Sequence, residues 1–187
     1  MLKRIFDIFF SLCLIILLFF PMIIIAILII YTSSGPAIHW SNRIGRNNTI
    51  FQMPKFRTMK LETPDVATHL LSNANLYITR LGNFLRKTSL DELPQLWSIL
   101  IGHMSFIGYR PALHNQYDLI KLRSDAKIDK YKPGVTGWAQ IKGRDMLTIV
   151  EKVELEKIYY KNRSIQIDIY ILFSTILKIF KIENIKH

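Results

Sequence analysis

The feature that most constrains the fold of this chain is an apolar run from Ile8 to Ile30 that contains no charged residue. A continuous helix of this length would extend roughly 35 Å, which is enough to cross the hydrocarbon core of a bilayer. The run is too long for the apolar part of a secretory signal, and no small-residue cleavage site accompanies it. We therefore interpret it as a retained membrane segment, for which a single-pass helix is the simplest arrangement.

A proline near the middle of the run argues for a different arrangement. Pro21 has no N–H and leaves the carbonyl of Leu17 without its helical partner, and residues 13–30 contain no Ser or Thr that could bond this carbonyl. An unpaired carbonyl in lipid is strongly unfavourable. A sharp bend at Pro21 would let water or the protein itself reach the carbonyl, so we predict a helix-break-helix.

The charges that flank the run support a re-entrant topology. Lys3 and Arg4 precede the run, and further Lys and Arg residues follow it between positions 43 and 60. Because cytoplasmic flanks of membrane segments are enriched in Lys and Arg, both flanks belong on the cytoplasmic face. We expect residues 1–31 to form a re-entrant membrane helix and residues 32–187 to form a membrane-associated domain.

The composition narrows the classes of partner. The chain carries a formal net charge of +11, although 50% of its residues are hydrophobic. Basic proteins that bind nucleic acid are seldom so apolar, so we expect the positive charge to face anionic lipid or phosphorylated substrates. The single cysteine, Cys13, excludes a disulfide within the chain, and no zinc-ligand spacing is present, which fits a reducing compartment.

The rest of the chain predicts an α+β domain that is mainly helical. The C-terminal segment 164–182 is apolar, but Asp168 and Lys178 interrupt it, so it is too short to span a bilayer. It either lies as an amphipathic helix in the membrane interface or packs on the domain. The other predicted elements are a short strand or turn at 50–59, a loop at 60–75, helices at 112–130 and 146–160, and a turn with a small antiparallel β-hairpin at 132–144.

The segment TSLDELPQLW at residues 88–97 places two adjacent carboxylates, Asp91 and Glu92, next to a helix start. Ser89 and Glu92 have the spacing of a capping box, in which the hydroxyl and the carboxylate each accept a backbone N–H. Pro94 indicates that the helix begins or bends there. Because capping requires only one of the two carboxylates, a chemical role is the alternative interpretation.

Compact groups of cationic side chains favour that chemical role. Phosphoryl transfer needs positive charge around the phosphate oxygens and Mg²⁺ held by few carboxylates, and an Asp can itself be the nucleophile. A membrane-anchored binding module for anionic lipid or nucleic acid is the alternative, in which Asp91 would have no part. The cationic groups are Lys55 with Arg57, Arg86 with Lys87, Arg110, and Lys142 with Arg144.

Six sequence blocks occur in order along nearly the whole chain. They are KRIFD at 3–7, PKFRTM at 54–59, TRLGNFLRKTSLDELPQLW at 79–97, GHMSFIGYRP at 102–111, KPGVTGWAQIKGR at 132–144 and NRSIQIDI at 162–169. As an ordered set they resemble the bacterial sugar transferases of the monotopic phosphoglycosyl transferase family, specifically the short members that consist of the catalytic domain alone. The resemblance implies a re-entrant helix broken at Pro21 and a catalytic domain on the cytoplasmic face of the bacterial inner membrane.

The resemblance also implies a two-step reaction that begins glycoconjugate assembly. Asp91 would attack the sugar-bearing phosphorus of a UDP-sugar, release UMP and form a covalent aspartyl intermediate. Polyprenyl (undecaprenyl) phosphate would then take the phospho-sugar to give polyprenyl diphosphate sugar. Glu92, with Asp91, would hold Mg²⁺, and Arg110 would hold phosphate. The partners are then the UDP-sugar, polyprenyl phosphate and membrane lipids, not nucleic acid, and a homo-oligomer is left open.

Other positions in the blocks match the family without a firm role, and some depart from its pattern. Lys55, Arg57, Arg86, Arg144 and Asp168 are expected to contact substrate or phosphate. The departures bear on nucleotide and sugar selectivity more than on the reaction. They are Phe20 in place of a common Ser, His103 in place of an acid or amide, Tyr109 in place of a common Pro, and Lys142 and Asp145 in place of frequent Asn residues.

Overall fold

The computed structural model describes residues 2–64, 74–143 and 146–180, and it confirms a mainly helical α+β fold with a small antiparallel sheet. The described helices are α1 (Leu2–Thr32), α2 (Ala74–Tyr77), α3 (Arg80–Lys87), α4 (Gln95–Ile101), α5 (Tyr117–Asp125), α6 (Trp138–Lys142), α7 (Ile149–Asn162) and α8 (Ile165–Phe180). The described strands are β1 (Ile38–Ile44), β2 (Ile50–Phe56), β3 (Ser105–Ile107) and β4 (Gly134–Thr136).

Helix α1 lies along the domain and packs one face against it over nearly its whole length. By length and composition it is the one helix in the described ranges that could cross a membrane. Its buried side chains recur every three or four residues, the spacing of a single helical face. The opposite face exposes Phe, Leu and Ile side chains. The packed face consists of Asp7, Ser11, Leu14, Ile15, Leu18, Met22, Ile25, Ala26 and Ile29.

Hydrogen bonds tie both ends of α1 to the same folded unit. Near the start of the helix, Arg4 donates from Nη1 to the carbonyl of Ile99 at 2.6 Å and from Nη2 to the carbonyl of Leu100 at 2.7 Å. Just beyond its end, the carbonyl of Ser33 accepts from Nη2 of Arg57 at 2.8 Å. The two ends of α1 therefore contact one domain.

Pro21 lies inside α1, on its exposed face. The structure assigns one helix across this residue, so the break expected there stays a prediction. The proline ring displaces the carbonyl of Leu17, which lies on the same exposed side of the helix. Any bend at this point therefore opens the exposed side and turns both ends toward the domain.

The antiparallel hairpin is formed by β1 and β2 rather than by the segment from which we expected it. The register pairs Ile38 with Phe56 and His39 with Lys55, and the loop between the strands carries two residues, Asn47 and Asn48, with positive φ. Side chains on one face of β2 pack against α1 and α4. The hairpin therefore supplies a rigid support from which Lys55 projects.

The prediction of a β-hairpin at 132–144 is wrong. Within this segment β4 pairs in parallel with β3, and the chain then enters α6. The glycines of this segment serve close backbone contact, because a Cβ atom on Gly134 or Gly137 would overlap with the backbone of Gly108. Turn-forming residues here indicate two backbones in contact, not a reversal of the chain.

The remaining helices form near their predicted positions with different bounds. The helix predicted at 112–130 is shorter, since α5 ends before Lys127, which adopts a left-handed conformation with φ 57°. Helix α7 begins with a capping box made by Thr148 and Glu151. Helix α8 packs on the domain, where Ile171 is fully buried, and its other face exposes Ile and Phe side chains, so its place in the membrane interface stays a prediction.

Candidate active site

The carboxylate pair lies in a tight 3₁₀ turn, Leu90–Glu92, just before α4. The turn begins at Ser89, which is left-handed with φ 57° and makes no side-chain capping bond. The N–H of Glu92 is bonded instead to the carbonyl of Ser89 at 3.2 Å. The capping-box interpretation of Ser89 and Glu92 is therefore wrong, which leaves both carboxylates for other contacts. Helix α4 starts immediately after Pro94, as the sequence allowed.

Glu92 is held by two cations that come from different parts of the chain. Its Oε1 accepts from Nζ of Lys55 at 2.8 Å and from Nη2 of Arg110 at 2.9 Å. Lys55 reaches it from β2, and Arg110 reaches it from the segment after β3. Burial alone would raise the pKa of Glu92, but Arg110 and Lys55 together lower it well below its ordinary value, so this carboxylate is ionised.

Asp91 lies next to this ion pair without joining it. The side chain is buried, with 8% of the residue exposed, and Nζ of Lys55 lies 4.0 Å from Oδ2. No hydrogen bond to either carboxylate oxygen is made by the residues that the structure describes. Burial raises the pKa of Asp91, Lys55 opposes the rise and Glu92 adds to it, while Arg110 and Arg86 also lower it.

The two adjacent carboxylates therefore differ in their environments. Glu92 has its charge neutralised by two direct hydrogen-bonded contacts, whereas Asp91 has only the looser contact with Lys55 at 4.0 Å. Burial also lowers the pKa of Lys55, whose ammonium is otherwise balanced by Glu92 and Asp91 and opposed by Arg110. The arrangement is a cationic cradle, formed by Lys55, Arg110 and Arg86, around one ionised and one available carboxylate.

Two of the other residues expected to bind substrate, Arg57 and Asp168, contact other parts of the protein and not the carboxylate pair. The guanidinium of Arg57 bonds to carbonyls of the segment after α1, at Ser33, Ser34 and Gly35. Asp168 accepts from Nζ of Lys3 at 3.1 Å and from the hydroxyl of Tyr159 at 2.6 Å. The part of Arg57 and Asp168 in substrate binding stays a prediction, and Arg144 lies outside the described residues.

Two buried amides, one in the helix after the carboxylate pair and one in α6, were not singled out from the sequence. Gln95, the first residue of α4, is 2% exposed, and its Nε2 has no hydrogen-bond partner within the described ranges. Both amide atoms of Gln140 in α6 are likewise buried and unpaired. An unpaired buried amide is costly, so each is a candidate ligand contact. Their positions inside the sequence blocks at 79–97 and 132–144 were the only signal.

Tyr109, a departure from the family pattern, fixes the segment that presents Arg110. Its hydroxyl lies 3.2 Å from the carbonyls of both Gly45 and Tyr131, and its N–H donates to the hydroxyl of Tyr160 at 3.2 Å. A proline at this position would have no N–H to donate. The substitution therefore adds a hydrogen bond that joins α7 to the segment carrying Arg110.

The carboxylate pair is compatible with Mg²⁺. This ion is commonly held by one or two carboxylates, with substrate phosphates and water as the other ligands. Asp91 supplies a carboxylate of this kind, and Glu92 uses only Oε1 for its two cations. No group of three or more His, Cys, Asp and Glu side chains gathers among the described residues, so the remaining ligands would come from substrate and water.

Comparison with known proteins identifies the family. Residues 1–182 match the sequence profile of the bacterial sugar transferases. The chain belongs to the bacterial sugar transferase family. A sugar transferase of Bacillus subtilis named EpsL, described as uncharacterized, is 35% identical over 99% of this chain and 90% of its own length.

Relatives with a named reaction are longer than this chain. The UDP-glucose:undecaprenyl-phosphate glucose-1-phosphate transferase of Escherichia coli is 40% identical over 96% of this chain, and the undecaprenyl-phosphate galactose phosphotransferase of Salmonella typhimurium is 36% identical over 93%. The chain spans 40% and 39% of these two proteins. The family is a transferase family, and the named reactions belong to those relatives.

Proposed function

We propose that this protein transfers a phospho-sugar from a UDP-sugar to polyprenyl phosphate, with UMP as the leaving group. The observation that carries the proposal is the difference between Asp91 and Glu92. A buried carboxylate with no closer cation contact than 4.0 Å from Lys55 lies beside a second carboxylate whose charge is already balanced by Lys55 and Arg110. The names of the relatives support UDP-sugars and undecaprenyl phosphate as the substrate classes.

In the first step, a carboxylate oxygen of Asp91 attacks the phosphorus that bears the sugar. A bond forms between this oxygen and phosphorus, the bond from phosphorus to the bridging oxygen breaks, and UMP leaves with the electron pair. Lys55, Arg110 and Arg86 stabilise the negative charge that builds on the phosphate oxygens. They also reduce the repulsion between an anionic nucleophile and an anionic diphosphate.

In the second step, a phosphate oxygen of the polyprenyl phosphate attacks the same phosphorus. The acyl phosphate bond to Asp91 breaks, which restores the carboxylate and yields polyprenyl diphosphate sugar. Asp91 with Glu92 would hold Mg²⁺, which supplies further positive charge to the diphosphate when bound. The unpaired amides of Gln95 and Gln140 are candidates to position the substrate.

The packing of α1 supports access to a lipid substrate from one membrane face. Both ends of α1 are bonded to the domain, and the exposed side of the helix is apolar along its length. A helix that crosses the bilayer would place its ends on opposite sides, whereas a re-entrant helix keeps both on the cytoplasmic side with the domain. The carboxylate pair would then lie close to the lipid headgroups.

The experiment that tests the function measures UMP release by the purified chain with Mg²⁺, polyprenyl phosphate and a panel of UDP-sugars. We expect release with at least one UDP-sugar, a sugar phosphate recovered on Asp91 when polyprenyl phosphate is omitted, and a loss of at least about 10³-fold in Asp91→Asn. Asp118→Asn, on the exposed first turn of α5, is the matched control. Wild-type turnover in Asp91→Asn would instead favour a binding module.

A further inference from the structure

Two cationic side chains, Arg4 and Lys132, meet at the end of α4 opposite to Asp91. Gly102 terminates the helix there in a left-handed conformation with φ 94°. A Cβ atom on Gly102 would lie 3.1 Å from Nη2 of Arg4 and 3.2 Å from Nζ of Lys132. The two nitrogens therefore lie within about 6.3 Å of each other, a separation at which the oxygens of one phosphate group could contact both cations.

The protein itself provides little negative charge for this pair. Arg4 uses its two terminal nitrogens on the last carbonyls of α4, and Lys132 has no hydrogen-bond or ion-pair partner in the part of the chain that is described. The neighbouring carboxylate of Asp7 accepts from Oγ of Ser105 and from the N–H of Phe106, both at 3.1 Å. Lys132 is therefore a partly buried ammonium beside a guanidinium without a counter-ion in contact.

The energetics of Lys132 agree with this geometry. Burial lowers the pKa of Lys132, Arg4 and Arg46 lower it further, and Asp7 acts in the opposite direction. A cation at the C-terminal end of a helix is favoured by the helix dipole. Arg4 already fills this role for the seven-residue helix α4, because it bonds the final carbonyls, so the dipole does not explain the position of Lys132. A bound anion would stabilise both cations.

The surroundings indicate the kind of anion. Leu2 and Ile5 on α1 and Ile101 at the end of α4 are exposed apolar side chains at this edge of the domain, with Leu2 78% exposed. A cation pair bordered by exposed apolar residues matches the level at which lipid phosphates meet acyl chains.

We propose that the phosphate group of a membrane glycerophospholipid binds between Arg4 and Lys132, with its acyl chains along Leu2, Ile5 and Ile101. The length of α4, about 10 Å, separates this site from the start of the helix that follows the carboxylate pair. The bound lipid is therefore an anchor that sets the height of the domain, and it is not the reacting lipid. The site requires α1 to be in the membrane, but it does not require the proposed reaction.

The test is thermal unfolding of the full chain in a neutral detergent with added dioctanoyl phosphatidylglycerol. Binding to the folded state raises Tm with lipid concentration. We expect this rise in the wild type and in Lys121→Gln, an exposed control on α5, and in Lys132→Arg. In Lys132→Gln the lipid concentration needed for the same rise should increase about tenfold, because one charged donor is lost.

Further arms separate binding of the intact phospholipid from binding of its acyl chains or of phosphate alone. Dioctanoylglycerol has the same chains without phosphate, and inorganic phosphate has no chains, so neither should reproduce the rise in Tm. Without lipid, Lys132→Gln should unfold at or above the wild-type Tm, because it removes a partly buried charge that has no counter-ion in contact. A wild-type lipid response in Lys132→Gln, loss of the response in Lys132→Arg, or an equal rise with inorganic phosphate would overturn the proposal. UMP release enters none of these measurements.

Discussion

Nζ of Lys55 and Oε1 of Glu92 lie 2.8 Å apart, which joins the β1–β2 hairpin to the turn that carries the carboxylate pair. The two residues are 37 positions apart in sequence. Their ion pair balances the charge of Glu92 and keeps a cation 4.0 Å from Oδ2 of Asp91, the residue expected to attack phosphorus. It is therefore both a structural tie and part of the electrostatics of the site.

Replacing Lys55 tests this double role. Lys55→Gln leaves the buried Glu92 with only Arg110, so we expect the free energy of unfolding to fall by about 2–3 kcal/mol and the rate of UMP release to fall as well. Thermal unfolding in detergent and the UMP assay measure the two effects. Lys60→Gln, at an exposed position shortly after β2, is the control and should change neither the stability nor the rate of UMP release. An active and fully stable Lys55→Gln variant would contradict the assigned role.

The pH dependence of the first step should follow the ionisation of Asp91. Burial raises the pKa of Asp91 and Arg86 lowers it, and only the ionised form attacks. Single-turnover UMP release at saturating UDP-sugar should therefore rise with pH through this pKa. Arg86→Gln removes a stabilising cation, so the midpoint of the profile should move to higher pH.

Arg80→Gln, at the exposed start of α3, is the matched control and should keep the wild-type midpoint. A midpoint in Arg86→Gln that is unchanged or moves to lower pH would show that Arg86 does not act on the nucleophile.

The role of Asp168, structural or substrate-binding, can be assigned by measuring protein stability and substrate affinity separately. Asp168→Ala removes the acceptor of Tyr159 and the ion pair with Lys3, so we expect the free energy of unfolding to fall by about 1–2 kcal/mol. If its contacts with Lys3 and Tyr159 are its whole role, the KM for the UDP-sugar should stay at the wild-type value, as it should in Asp125→Ala, the exposed control. A raised KM with unchanged stability would instead identify Asp168 as a substrate ligand.

Cysteine labelling tests the topology of α1. In a Cys13→Ser background, Leu2→Cys and Ser34→Cys place exposed thiols at the two ends of the helix. If both ends lie on the cytoplasmic face, a membrane-impermeant reagent applied to intact cells should modify neither, and lysis should expose both. Modification of Ser34→Cys alone in intact cells would show that the helix spans the membrane.

The carboxylate pair could be predicted from the residue types and their positions along the chain. The cations that contact each carboxylate could not. Asp91 and Glu92 stood out as one carboxylate more than a cap requires, and the helix start after Pro94 followed from the missing N–H. Which cation contacts which carboxylate depends on the β1–β2 register and on the packing of that hairpin against α4. Local periodicity holds no information on either.

The parallel pairing of β3 with β4 illustrates a different limit. Gly134 and Gly137 carry the same local signal whether the chain turns or another backbone comes close. The distinction lies in Gly108, which is far away in sequence and touches both. In contrast, Thr148 and Glu151 formed a capping box where Ser89 and Glu92 did not, because Lys55 and Arg110 compete for the carboxylate of Glu92.

If α1 enters and leaves the membrane on one face, as proposed above, its attachment at both ends has a consequence for the choice of membrane. A spanning helix must match the thickness of the hydrocarbon layer, and mismatch is relieved by tilting or by deforming the lipid. With Arg4 and Arg57 bonding the two ends of this segment to one domain, no dimension of the protein needs to match that thickness. We expect such a chain to work equally well in thin and thick bilayers, so that lipid chain length places little constraint on where it functions.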